Sequence, residues 1–123
     1  MTAAVRSLIP LANVKSVSAS IEFYRLLGFE VINTFVPEGE EAPAWAYLKA
    51  GEARIMLGLA DEPVVPSQQA VLFYCYCDDV EGMRDQLLAR GVAAGAITTP
   101  FYAPRGEFRI QDPDGYVIMV THT

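Results

Sequence analysis

The chain has 123 residues, 52% hydrophobic and 20% charged, which is enough for one domain with its own core and too apolar for a disordered segment. Its net charge of −6 comes from 9 basic and 15 acidic residues with no cluster of Lys or Arg, so a nucleic-acid partner is not expected. No run approaches the roughly 20 apolar residues of a membrane span. Met1 to Arg6 lacks the long apolar run of a secretory signal, so a cytoplasmic protein is expected.

In chain order, Leu8 to Val14 reads as a strand, and Pro10 within it argues for an edge or exchanged position. Ser16 or Ser18 can cap a helix whose buried stripe is Ser20, Phe23, Tyr24 and Leu27, with Gly28 as its left-handed stop. Phe29 to Val36 is rich in β-branched and aromatic residues and reads as a strand. After the acidic loop Pro37 to Pro43, a hairpin is predicted from Ala44–Lys49 and Ala53–Leu59 around Ala50-Gly51-Glu52. Asp61 to Gln69 then reads as a linker. A strand from Val71 to Cys77 follows, and next a helix with Val80, Met83 and Leu87 on one side, ended by Gly91. A weak strand near Ala93 to Ile97 precedes a loop from Thr98 to Gly106. The last hairpin pairs Glu107–Gln111 with Tyr116–Thr121 across Asp112-Pro113-Asp114-Gly115.

The second half repeats the first at an offset of 63. Val14-Lys15-Ser16-Val17 aligns with Cys77-Asp78-Asp79-Val80, Gly28 with Gly91, and Arg54-Ile55-Met56-Leu57 with Val117-Ile118-Met119-Val120. The expected fold is therefore α+β: two βαβββ modules forming a curled, mostly antiparallel sheet with a concave cleft and helices on the outer face. It is a single domain, residues 1–123, with module one at 1–60, the linker at 61–69 and module two at 70–123. Cys75 and Cys77, two apart on a strand, have poor geometry for a disulfide and lack the spacing of a zinc site, so they read as core residues.

Asn13 to Tyr24, followed by Leu26-Leu27-Gly28-Phe29, resembles the opening signature of the vicinal-oxygen-chelate superfamily. That group includes glyoxalase I, extradiol dioxygenases, fosfomycin-resistance enzymes and the bleomycin-resistance proteins. Phe108 to Tyr116 resembles its closing signature. The resemblance spans nearly the whole chain and implies a divalent metal held by one residue from the first and one from the last strand of each module. The matching positions here are Ile9, Met56, Leu72 and Met119, and none offers a hard oxygen or imidazole donor. No metal and no cofactor are expected.

Period-2 alternation from those positions places Leu11, Asn13, Arg54, Gly58, Tyr74, Tyr76, Val117 and Thr121 on the cleft face, with the cysteines opposite. Trp45, Tyr47, Phe101 and Tyr102 are candidates for aromatic walls. The candidate ligand-binding set is thus Asn13, Trp45, Tyr47, Arg54, Met56, Leu72, Tyr74, Tyr76, Phe101, Tyr102 and Met119; no catalytic residue stands out. Arg54 in an apolar surrounding needs a partner, either a ligand anion or a protein carboxylate. Two functions fit. One is a metal-free, homodimeric binding protein that sequesters an aromatic or cationic small molecule, as the likeness to the bleomycin-resistance proteins implies. The other is a lyase, isomerase or oxygenase acting on a small oxygenated substrate, which would have to work without its Lewis acid.

Overall fold

The computed structural model describes residues 3–123; Met1 and Thr2, where the N-terminal stretch read for a signal begins, lie outside the described residues. The chain divides into two compact units, the first ending at Val64 and the second starting at Val65.

The first unit runs β1 (Leu11–Val14), α1 (Val17–Arg25), β2 (Glu30–Phe35), β3 (Trp45–Ala50) and β4 (Ala53–Leu59). Its sheet has the order β1-β4-β3-β2, with β1 parallel to β4 and the other pairs antiparallel. Pro10 directly precedes the edge strand β1, and its carbonyl accepts a bond from the Met56 amide at 2.9 Å. A proline is tolerated there because the missing N–H faces no partner strand. Ser16, in extended conformation, caps α1 by accepting a bond from the Ala19 amide at 3.1 Å. The helix buries Val17, Ser20, Ile21 and Tyr24, with Phe23 and Leu27 half-buried at the margin, so the stripe is rotated from the expected one. Gly28 then ends the helix at φ +94°, a conformation that favours glycine. Beneath the helix the sheet contributes Ala12, Val14, Ala46, Leu48, Ile55 and Leu57 to the core. Each large aliphatic side chain buried in this way is worth roughly 1.5–3 kcal/mol.

The second unit runs β5 (Leu72–Tyr76), α2 (Val80–Ala89), β6 (Phe108–Gln111) and β7 (Val117–Thr121), in the sheet order β5-β7-β6. Here β5 is parallel to β7 and β6 antiparallel to it, so both sheets are mixed. Asp79 caps α2 through the Gly82 amide at 2.9 Å. The repeat reaches down to hydrogen-bond register: Leu11 pairs with Met56 and Tyr74 with Met119, each position displaced by 63.

The weak strand expected near Ala93–Ile97 does not form. Only a Gly95-to-Arg109 backbone bond and a bridge between Thr98 and Glu107 tie this segment to β6. Ala93-Ala94-Gly95-Ala96 offers no branched or aromatic side chains to pack on a pleated surface, so little favours the extended ladder. The Arg84 side chain holds the segment instead, donating to the Gly95 carbonyl at 2.7 Å. At the final hairpin, the Asp112 carboxylate accepts bonds from the Asp114 and Tyr116 amides, both at 2.9 Å, and Gly115 takes φ +84°.

Among the described residues no helix is long and apolar enough to cross a membrane.

Candidate ligand-binding faces

Each sheet has one face against its core and one face carrying the side chains of interest. In the first unit, Ala12, Ala46, Leu48, Ile55 and Leu57 point inward, so their neighbours along each strand point the other way. Register pairs Leu11 with Met56, Met56 with Tyr47, and Tyr47 with Asn33. The next row runs from Asn13 through Gly58 and Trp45 to Phe35. The fold thus brings Asn13, Trp45, Tyr47, Arg54 and Met56 together on one face.

Gly58 shapes that face. A Cβ added there would lie 3.1 Å from the Leu11 Cδ2 atom, closer than the packing accommodates without a shift. Its bare backbone lets the Leu11 side chain close over it, in the row that also holds Trp45, whose ring lies 6.4 Å from that of Tyr47 at an interplanar angle of 34°. Such a pair is a stacking surface with a polar tip. No carboxylate is seen to pair with Arg54 among the described residues; its Nη1 donates to the backbone carbonyls of Gly51 and Ala53, at 2.9 and 2.8 Å. The guanidinium therefore braces the β3–β4 turn. A hollow of about 320 Å³ beside the start of α1 is lined by residues that include Lys15, Ser16, Glu40 and Leu59, and by none of these aromatics.

In the second unit Phe108, Ile110, Ile118 and Val120 face the core. On the other side the rows are Leu72–Val117–Gln111 and Tyr74–Met119–Arg109, with Tyr76 and Thr121 continuing the ladder. Leu72, Tyr74 and Tyr76 are exposed, and Met119 is half-buried between Tyr74 and Arg109. Phe101 and Tyr102, in the loop before β6, stand edge-to-face with ring centres 5.4 Å apart. Phe101 is 96% exposed. Cys75 lies on the core side of β5, and burial first, then the neighbouring Cys77, pushes its thiol up to about 11. A thiol so shielded is a packing group rather than a nucleophile.

Sequence reasoning missed one residue here. Glu107, read as the outer end of a hairpin strand, is 5% exposed. Its Oε1 accepts a bond from the Tyr102 hydroxyl at 2.9 Å. That bond first, then desolvation and the Glu107 charge, push the Tyr102 hydroxyl up to about 12, and Tyr74 adds to the shift. The folded value is raised above the ordinary 10.0, so the donor is present at neutral pH and is lost only as pH rises through about 12. A glutamate normally reads as solvated, and only its parity with Arg109 places it on the Tyr74 side of the sheet.

The family profile described as the Glyoxalase/Bleomycin resistance protein/Dioxygenase superfamily matches residues 8–120. The chain belongs to this superfamily. No curated protein sequence matches it. Among solved structures it is similar to a bleomycin resistance determinant encoded on transposon Tn5, at 16% identity and TM-score 0.75 over 97% of this chain and 98% of that one. It is similar also to TnmS3, an antibiotic binding protein from Streptomyces sp. CB03234, at 21% identity and TM-score 0.75 over 99% and 98%. A third is the bleomycin-binding protein from bleomycin-producing Streptomyces verticillus complexed with copper(II)-bleomycin, at 15% identity and TM-score 0.72 over 99% of each chain. At these identities the likeness establishes the fold.

The metal implied by the superfamily's enzymes does not fit this donor set. Met56 and Met119 offer only soft thioethers, and Ile9 and Leu72 offer nothing. Among the described residues no group of three or more His, Cys, Asp or Glu is placed to hold a metal ion.

Proposed function

We propose that this protein is a metal-free small-molecule binding protein of the bleomycin-resistance type, sequestering an aromatic or cationic compound. One observation carries the reading: the four positions that match the metal ligands of the family's enzymes are apolar, while the outer face of the first sheet carries Trp45 and Tyr47 and that of the second Tyr74 and Tyr76. Sequestration needs a shaped surface with stacking groups and no catalytic group. The acidic balance of the chain favours a cationic compound. The similarity to a bleomycin-binding and an antibiotic binding protein supports a small-molecule ligand.

The test is titration of the purified protein with flat cationic aromatics, followed through the fluorescence of Trp45, the single tryptophan. A saturable change is expected. Trp45→Ala and Tyr74→Ala should each weaken binding by about 1–3 kcal/mol, both read by calorimetry because the first removes the fluorescent reporter. Tyr74 is 43% exposed, so its truncation should leave the melting curve nearly unmoved. Flat titrations together with turnover of a small oxygenated substrate would replace this reading with an enzymatic one.

The working form is proposed to be a homodimer, in which a second copy pairs with or covers the unpaired edge of β1 and the exposed Leu8 and Leu11 side chains. Sedimentation at micromolar concentration should give twice the chain mass of 13.5 kDa, and a monomer there removes the claim.

A further inference from the structure

Glu107 is a buried carboxylate with unused bonding capacity. Phe108 faces the core opposite Val120, so Glu107, one residue earlier, points to the side of the sheet that carries Tyr74 and Met119. Its Oε1 takes the Tyr102 hydroxyl, while Oε2 is shielded from solvent and has no hydrogen-bond partner among the described residues. Among the described residues no Lys, Arg or His is seen to pair with it. A buried carboxylate oxygen left without a hydrogen-bond partner is a costly arrangement. Thr121, at the end of the strand paired with β6, is itself engaged, donating to the Gly106 carbonyl at 3.2 Å.

The side chain bonded to the carboxylate stands at the protein surface. Tyr102 is 56% exposed and sits at a loop tip beside the almost fully exposed Phe101. The loop is fixed at its base by the Thr98–Glu107 bridge, so a turn of the Tyr102 ring would release Oε1 and open a way to Oε2 while leaving the sheet in place. The uncovered oxygen would then have Tyr74 on one side and the Phe101–Tyr102 edge on the other.

We propose that Glu107, flanked by Tyr74 and Tyr102, is the docking point for a cationic nitrogen group, an amine or guanidinium, on an aromatic compound. The proposal rests on the binding function argued above and specifies the charged part of its ligand. A cation donates into Oε2, neutralises the buried charge, and leaves the attached ring against Tyr74 and Phe101.

The experiment compares 2-naphthylmethylamine, 2-naphthylmethanol and 2-naphthylacetate, which share a ring system and differ in charge, by calorimetry at pH 7. The native protein should bind the amine at least tenfold more tightly than the alcohol and the acetate most weakly. In Glu107→Gln the amine-to-alcohol preference should fall below twofold, and the melting temperature should stay level or rise, because a buried unpaired charge has gone. Tyr102→Phe keeps the carboxylate and frees its second oxygen, so the preference should persist or grow; it also serves if Glu107→Gln fails to fold. Saturable binding of all three probes with equal affinity overturns the cation site, as it would if Oε2 holds only a water, and leaves the binding function standing. No binding of any probe overturns both. A preference that survives Glu107→Gln, or is lost in Tyr102→Phe, also overturns the assignment.

Discussion

Phe108→Ala is expected to destabilise the protein by about 3–5 kcal/mol, the cost of an aromatic-sized cavity in a core that cannot collapse around it. Phe108 is 2% exposed and pairs in register with Val120, which in turn pairs with Cys75 on the other neighbouring strand. Leu87, Ile110 and Ile118 complete a buried set with no polar partner to reorganise. A loss of this size corresponds to a fall in Tm of roughly 10 °C or more for a chain of this length. Arg109→Ala is the control on the same strand. Arg109 is exposed and lies on the opposite face, so its removal should stay within about 0.5 kcal/mol. Thermal or urea unfolding of the two variants checks the facing of β6 directly. Equal losses would mean that its alternation is wrong.

Asp112→Ala should cost about 2–4 kcal/mol, through the turn rather than the core. The Asp112 carboxylate is 5% exposed and accepts from two backbone amides, those of Asp114 and Tyr116. Bonds from neutral donors to a charged acceptor are stronger than ordinary ones, and removing the acceptor leaves two amides inside a tight turn without a partner. The hairpin that depends on this turn carries Met119 and Arg109, so slippage would disturb the candidate face as well. Asp112→Asn keeps one acceptor oxygen in the same position and should recover at least half of the loss. If Asn and Ala are equally damaging, the charge matters more than the acceptor geometry, and the turn has been misjudged.

The repeat made most of the fold legible, because caps and strand register are local and the two halves check each other. Ser16 and Asp79, 63 residues apart, both cap helices, and Val17 and Val80 both begin them. The alternation around Met56 and Met119 likewise followed from a period of two. The segment 93–97 failed for a physical reason: the repeat predicted a strand where the side chains give one nothing to pack with. The carbonyl acceptors of Arg54 could not be read from the sequence either. Its partners are carbonyls of the turn it belongs to, and a guanidinium can find such acceptors wherever the backbone bends. Glu107 lay beyond sequence reasoning because its burial depends on Tyr102, five residues away across a loop whose path no periodicity encodes.

The most direct test of a metal-free binding protein is the Trp45 fluorescence titration repeated on protein exhaustively treated with chelator, with elemental analysis of the same sample. No stoichiometric Zn, Ni, Mn or Fe is expected before treatment, and the binding curve and melting temperature should be unchanged after it. About one equivalent of a divalent metal per chain, with binding lost on its removal and restored on its return, would contradict it.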